Sequence, residues 1–139
     1  MSQRCFFSEE FPSSLEAIGE VLPRAVAALR DGDWVESDQE FYARLCLEEA
    51  LVNAMTHGNK GDCGLDVRLT MTEDGGYCLI RVYDSGCGFC PDDIKTPEPE
   101  QPDGRGICLI RHCMDDVTYS AAEHCLEMRM RRKALCRGG

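Results

Sequence analysis

The sequence predicts an α/β two-layer sandwich, a mostly antiparallel sheet with helices segregated to one face. Three observations carry that prediction. Apolar residues recur at three- and four-residue steps in two early segments, as in amphipathic helices. The period then switches to two on both sides of a turn at Asp74, Gly75 and Gly76, as in a hairpin. Two more strand-like segments near the end, joined by a short turn, add to the same sheet.

Each element has its own signal. Arg4 to Phe7 reads as a short first strand. Ser13 and Glu16 form a capping-box pair, after which Leu15, Ile18, Leu22, Val26 and Leu29 follow helical spacing to about Arg30. Pro23 lies inside that pattern and is expected to kink or split the helix. A second capping-box pair, Ser37 with Glu40, opens a helix from about Asp38 to Gly58, with Gly58 and Gly61 ending it. Leu65, Val67, Leu69 and Met71 alternate with polar residues along a half-buried strand, and its partner runs from about Tyr77 to Tyr83. Cys90 to Gly104 holds five acidic residues and four prolines and reads as a long loop, expected to act as a mobile lid. A third helix opens at Gly104 with Ile107, Ile110 and Met114 on one side, and Asp115 and Asp116 end it. Val117 to Ser120 and Cys125 to Arg131 are the last two strands, and the basic tail from about residue 132 is expected to fray.

Composition narrows the function. A chain of 139 residues fits a single domain with one core, here residues 1–139. With 15 Lys and Arg against 25 Asp and Glu, the net charge is −10, which argues against bulk nucleic acid or an anionic membrane as partner. No apolar run is long enough to span a bilayer and no signal-peptide pattern opens the chain, so the expected location is the cytoplasm. The ten cysteines then read as reduced thiols packed as small hydrophobes. Cys87 and Cys90 form one CxxC without a second, and are expected to carry neither metal nor disulfide.

The second helix carries the chemistry. Leu47, Ala50, Leu51, Ala54, Met55 and Gly58 make its apolar stripe, while Glu49, Asn53 and His57 stand four apart on a polar one. A carboxylate, a carboxamide and an imidazole in one row suit a site better than a solvated face. Asp84-Ser85-Gly86-Cys87-Gly88-Phe89 follows a strand directly, and Gly104-Arg105-Gly106 opens a helix after the long loop. In order, these make sense as a nucleotide site. Asp84 can accept from an exocyclic amine such as that of adenine. Gly86 and Gly88 allow backbone to approach a flat base, and amides at Gly104 and Gly106 can face phosphate at a helix start. Asn53 offers a neutral oxygen to Mg²⁺, through which an acidic protein can hold ATP.

These three boxes resemble those of the GHKL ATPase superfamily, which includes gyrase-type ATPases and histidine kinases. Glu49, Asn53 and His57 stand at its N-box, Asp84 to Phe89 at its first glycine box and Gly104 to Gly106 at its second. The compact length, EEALVNAMTHGN and GRGICLIRHCMDDV are most similar to the anti-sigma factor serine/threonine kinases of bacterial partner-switching systems. The resemblance covers about Ser13 to Met130. It implies a Bergerat, histidine-kinase-like ATPase fold and Mg-ATP binding. It also implies phosphorylation of a STAS-domain anti-anti-sigma partner, a sigma factor as alternative partner, and a homodimer. Carried over by position, Glu49 is the general base, Asn53 the Mg²⁺ ligand and Asp84 the adenine contact. His57, Gly86, Gly88, Phe89, Gly104, Arg105, Gly106 and Ile107 complete the expected ATP-binding set. The competing expectation is a module that binds ATP or ADP and sequesters a protein partner without phosphotransfer.

Overall fold

The first strand, β1, runs Arg4–Pro12, longer than its sequence signal, and is followed by a helix, α1, over Leu15–Asp31. These elements belong to a computed structural model that describes residues 3–59, 64–85, 114–120 and 122–131. A 3₁₀ turn at Ser37–Gln39 leads into α2, Glu40–Asn53, which continues as a π turn over Ala54–Gly58. Four strands complete the described chain: β2 at Asp66–Asp74, β3 at Tyr77–Asp84, β4 at Asp116–Ser120 and β5 at Cys125–Arg131. They join β1 in one sheet of order β1-β2-β3-β5-β4, and all four pairings are antiparallel. The predicted α/β sandwich is the observed architecture.

The capping residues differ from the sequence reading by one position each. Ser14, not Ser13, caps α1: its Oγ accepts from the Ala17 N–H at 3.1 Å. Ser13 is buried instead, and its own N–H donates to the Leu65 carbonyl beside the sheet. The box before α2 is Glu36 with Gln39, whose Oε1 accepts from the Glu36 N–H at 3.3 Å, rather than Ser37 with Glu40. Pro23 neither splits nor ends α1. Pro23 and Gly19, four residues earlier, both face solvent, so water can serve the carbonyl that proline leaves without an intrahelical donor.

Alternation in the strands sets the two layers. Val67, Leu69 and Met71 of β2 stand opposite Asp84, Val82 and Ile80 of β3, and Ile80 stands opposite Met128 of β5. The apolar members of these pairs are buried with Ile18, Val21, Leu22, Ala25 and Leu29 of α1 and Leu47, Ala50 and Leu51 of α2 in one cluster. Leu15, expected on that stripe, lies outside it and is 66% exposed. A shift of register between Cys5 and Phe7 takes Phe6 out of the ladder. Phe6 stacks on Trp34, ring centroids 6.1 Å apart, tying β1 to the segment between the helices. Gly75 has φ of 64° in the β2–β3 turn, the left-handed region where a side chain is strained. β4 opens at Asp116, one residue before its expected start at Val117. Met114 is buried in the core cluster as expected, while residues 104–113 of the expected third helix, the long loop and the tail lie outside the described residues.

Candidate functional site

Three side chains predicted for the site lie along α2 and its extension. Glu49 is half-buried and stands one helical turn before Asn53, about 6 Å along the axis. Asn53, the last residue of α2, is only 4% exposed. Its Nδ2 is buried and has no hydrogen-bond partner among the described residues. A buried carboxamide left unpaired costs about 1–3 kcal/mol. Such a group makes sense where a ligand supplies the missing partner. Oxygen and nitrogen of an amide are distinguished only by their partners, so this side chain can present its oxygen outward.

The helix then changes pitch. The Asn59 N–H donates to the Ala54 carbonyl at 2.8 Å, five residues back, and the turn from Ala54 to Gly58 is π rather than α. The straight Glu49–Asn53–His57 row expected from α spacing therefore ends at Asn53. A wider turn rotates His57 away from that line, and His57 is half-buried with its Nε2 fully covered.

The π turn meets the end of β3. Gly58 lies so close to the Asp84 carboxylate that a Cβ on residue 58 would collide with its carbon and oxygen atoms. Gly58 ends the helical segment, as expected from sequence, and is also the opening through which Asp84 reaches the helix. The Asp84 side chain is 3% exposed, and the His124 Nδ1 stands 3.8 Å from its Oδ1. The Asp84 N–H donates to the His124 carbonyl at 3.0 Å, fixing the strand end against the β4–β5 turn, where His124 has φ of 53°.

Asn59 was missed. It is 1% exposed; its Nδ2 donates to the Asp66 carbonyl at 3.0 Å and its Oδ1 accepts from the Ser85 N–H at 2.9 Å. Ser85 Oγ donates to the same Asp66 carbonyl at 2.8 Å. The only signal in the sequence was an Asn directly after the glycine that breaks the helical pattern. The expected site residues Gly86, Gly88, Phe89, Gly104, Arg105, Gly106 and Ile107, and the Cys87–Cys90 pair, lie outside the described residues.

The arrangement is a carboxylate and an open carboxamide on one helix whose end abuts a second, nearly buried carboxylate. Residues 11–132 match the family described as "Histidine kinase-like ATPase domain". The chain belongs to this family. Membership of the histidine kinase-like ATPase domain family implies ATP binding and accords with the five-stranded antiparallel sheet and two helices. The serine/threonine-protein kinase BtrW of Bordetella bronchiseptica is 29% identical over 98 residues, 66% of this chain and 68% of that protein. The anti-sigma F factor of Bacillus velezensis is 27% identical over 82 residues, 55% of this chain and 56% of that protein. The match therefore spans little more than half the length of the second relative.

Among the described residues, no helix is long and apolar enough to cross a membrane. Asn53, with its buried Nδ2 unpartnered among the described residues, has an amide whose neutral oxygen is of the kind that Mg²⁺ takes as a ligand.

Proposed function

We propose that this ATPase domain is a Mg-ATP-dependent protein serine/threonine kinase of partner-switching type. In this reading it is a cytoplasmic anti-sigma factor, acts as a homodimer and phosphorylates a STAS-domain anti-anti-sigma partner. The observation that supports it best is Asn53, a buried amide without a partner among the described residues, one turn from the half-buried Glu49. The names of the two relatives, a serine/threonine-protein kinase and an anti-sigma F factor, point the same way.

Each residue has a role in that reading. Asp84 accepts a hydrogen bond from the adenine amine. Asn53 gives its oxygen to Mg²⁺, which would neutralise phosphate charge when bound. Glu49 takes the proton from a serine or threonine hydroxyl of the partner. The freed oxygen attacks the γ-phosphorus, the bond to the β–γ bridging oxygen breaks, and ADP leaves. A hydroxyl is a poor nucleophile until a base removes its proton, and such help is worth about 10²–10⁴-fold in rate. Most of the remaining catalysis of phosphoryl transfer is positioning and charge.

Glu49→Gln keeps shape and hydrogen bonding but cannot take the proton. The expected result is near-normal Mg-ATP and partner binding with phosphorylation slowed by about 10²–10⁴-fold, read as partner mass over time. Glu48, about 100° around the helix and exposed, tolerates the same change. Glu49→Gln that transfers phosphate at the wild-type rate removes Glu49 from catalysis. A wild type that binds Mg-ATP and partner but transfers nothing supports the alternative, a nucleotide-dependent sequestering module.

A further inference from the structure

Gly58 and Asn59, which close the π turn, meet Asp84 and its neighbour Ser85. We infer that Asn59 is a positioning residue for base selection: it holds the Asp84 carboxylate at the distance from α2 that lets the site recognise a 6-aminopurine. The inference rests on the reading of Asp84 as the adenine contact.

The side chain of Asn59 joins three parts of the chain that are remote in sequence. Its backbone closes the π turn on Ala54, its Nδ2 holds the start of β2 at the Asp66 carbonyl, and its Oδ1 holds the residue after β3 at the Ser85 N–H. Both ends of the amide are used, and the residue is 1% exposed, so water does not compete for either bond. Ser85 Oγ closes the ring by donating to the same Asp66 carbonyl.

Asp84 adjoins this ring through Ser85. The peptide before it is fixed by its N–H to the His124 carbonyl, and the peptide after it by the Ser85 N–H to Asn59. With its backbone pinned on both sides, the carboxylate lies between Gly58, where a Cβ would collide with it, and the His124 ring at 3.8 Å. Gly58 makes the room and Asn59 sets the spacing. A hydrogen bond from a purine amine to a carboxylate depends on placement within a few tenths of an ångström, so loosening the bridge weakens amine recognition in particular. In this reading phosphate binding is left to other groups.

The test compares ATP with purine riboside triphosphate, whose base carries hydrogen in place of the 6-amino group, by calorimetry with Mg²⁺. Wild type is expected to prefer ATP by about tenfold to a hundredfold, the worth of a hydrogen bond to a charged group. Asn59→Ala is expected to bring the two affinities within about threefold of each other, mainly by weakening ATP. Asn59→Asp has nearly the same shape and serves if the alanine variant does not fold. It turns an acceptor toward the Asp66 carbonyl and is expected to lower the preference severalfold. The ratio cancels any effect of the added charge on phosphate. A purely structural Asn59 would lower the melting temperature in either variant and leave the ratio at its wild-type value, which would overturn the inference alone. A wild type that binds both nucleotides equally overturns the reading of Asp84, and this inference with it.

Discussion

Asn53 is a residue unfavourable for the fold alone, and the proposed chemistry gives it a use. It ends α2 at 4% exposure with an amide nitrogen that no described group satisfies. Asn53→Ala removes that unpaired group, and the small cavity offsets part of the gain. The ligand-free variant is therefore expected to be between equal in stability and about 1 kcal/mol more stable than wild type in urea titration, with Mg-ATP binding abolished. A large loss of stability would mean that the amide has a structural partner after all. Cysteine reactivity is a second residue-scale expectation. Burial pushes the Cys125 thiol up to about 11, so almost none of it is thiolate at neutral pH. Among the described cysteines, native alkylation at pH 8 should modify the exposed Cys5 and spare the buried Cys46, Cys78 and Cys125, as peptide mass analysis can show.

At the scale of elements, hydrophobic period located the helices and strands, while local chemistry decided their ends. Two serines stand side by side before α1, and spacing cannot tell which one is drawn into the sheet and which caps the helix. The π turn was invisible for a related reason: Ala54 and Gly58 remain buried whether the turn is α or π, so the apolar pattern does not change. In β1 the strand signal stopped at Phe7 because Glu9 interrupts it. Glu9 stands opposite the buried Leu69 but reaches Arg24 of α1 through two hydrogen bonds of 2.8 and 2.7 Å. That bond holds the Glu9 carboxyl below its usual value of 4.5. The pair's stabilisation is thus fully present above that value and lost as pH falls through the lowered folded one. Glu9→Gln should melt slightly below wild type at pH 7, and the gap should close in acid. Pro23→Ala belongs to the same scale. Restoring the N–H lets the Gly19 carbonyl accept within α1, against a modest rise in unfolded-chain freedom. The net gain is expected to be about 2 kcal/mol in denaturant midpoint analysis, and a loss instead would show that Pro23 fits its helix without strain.

At the scale of the whole molecule the described layers were legible because apolar patterns agree: two helices and a sheet each turn an apolar face to one core. What the sequence could not reveal is how the ends of these elements touch. The Gly58–Asp84 approach and the Asn59 bridge exist only because residues far apart in sequence meet where α2, β2 and β3 come together. With the nucleotide at this junction, as proposed, binding is a property of the assembled domain, since the unfolded chain has no such junction. A ligand that binds only the folded state stabilises it by mass action, about 2.7 kcal/mol at a hundredfold excess over its Kd. For a domain of this size that is a rise of roughly 8 °C in melting temperature. Trp34 is the sole tryptophan, 1% exposed between β1 and the helices, so its emission reports loss of the layered core directly. Mg-ATP should therefore raise the melting temperature followed by Trp34 fluorescence in wild type. The shift should vanish in Asn53→Ala and shrink in Asp84→Asn, while Glu49→Gln keeps it. ATP with chelator should recover only a small part, because phosphate charge is then left against a chain of net charge −10. A wild type whose melting is indifferent to Mg-ATP at saturating concentration would show that the α2–β3 junction is not a nucleotide site.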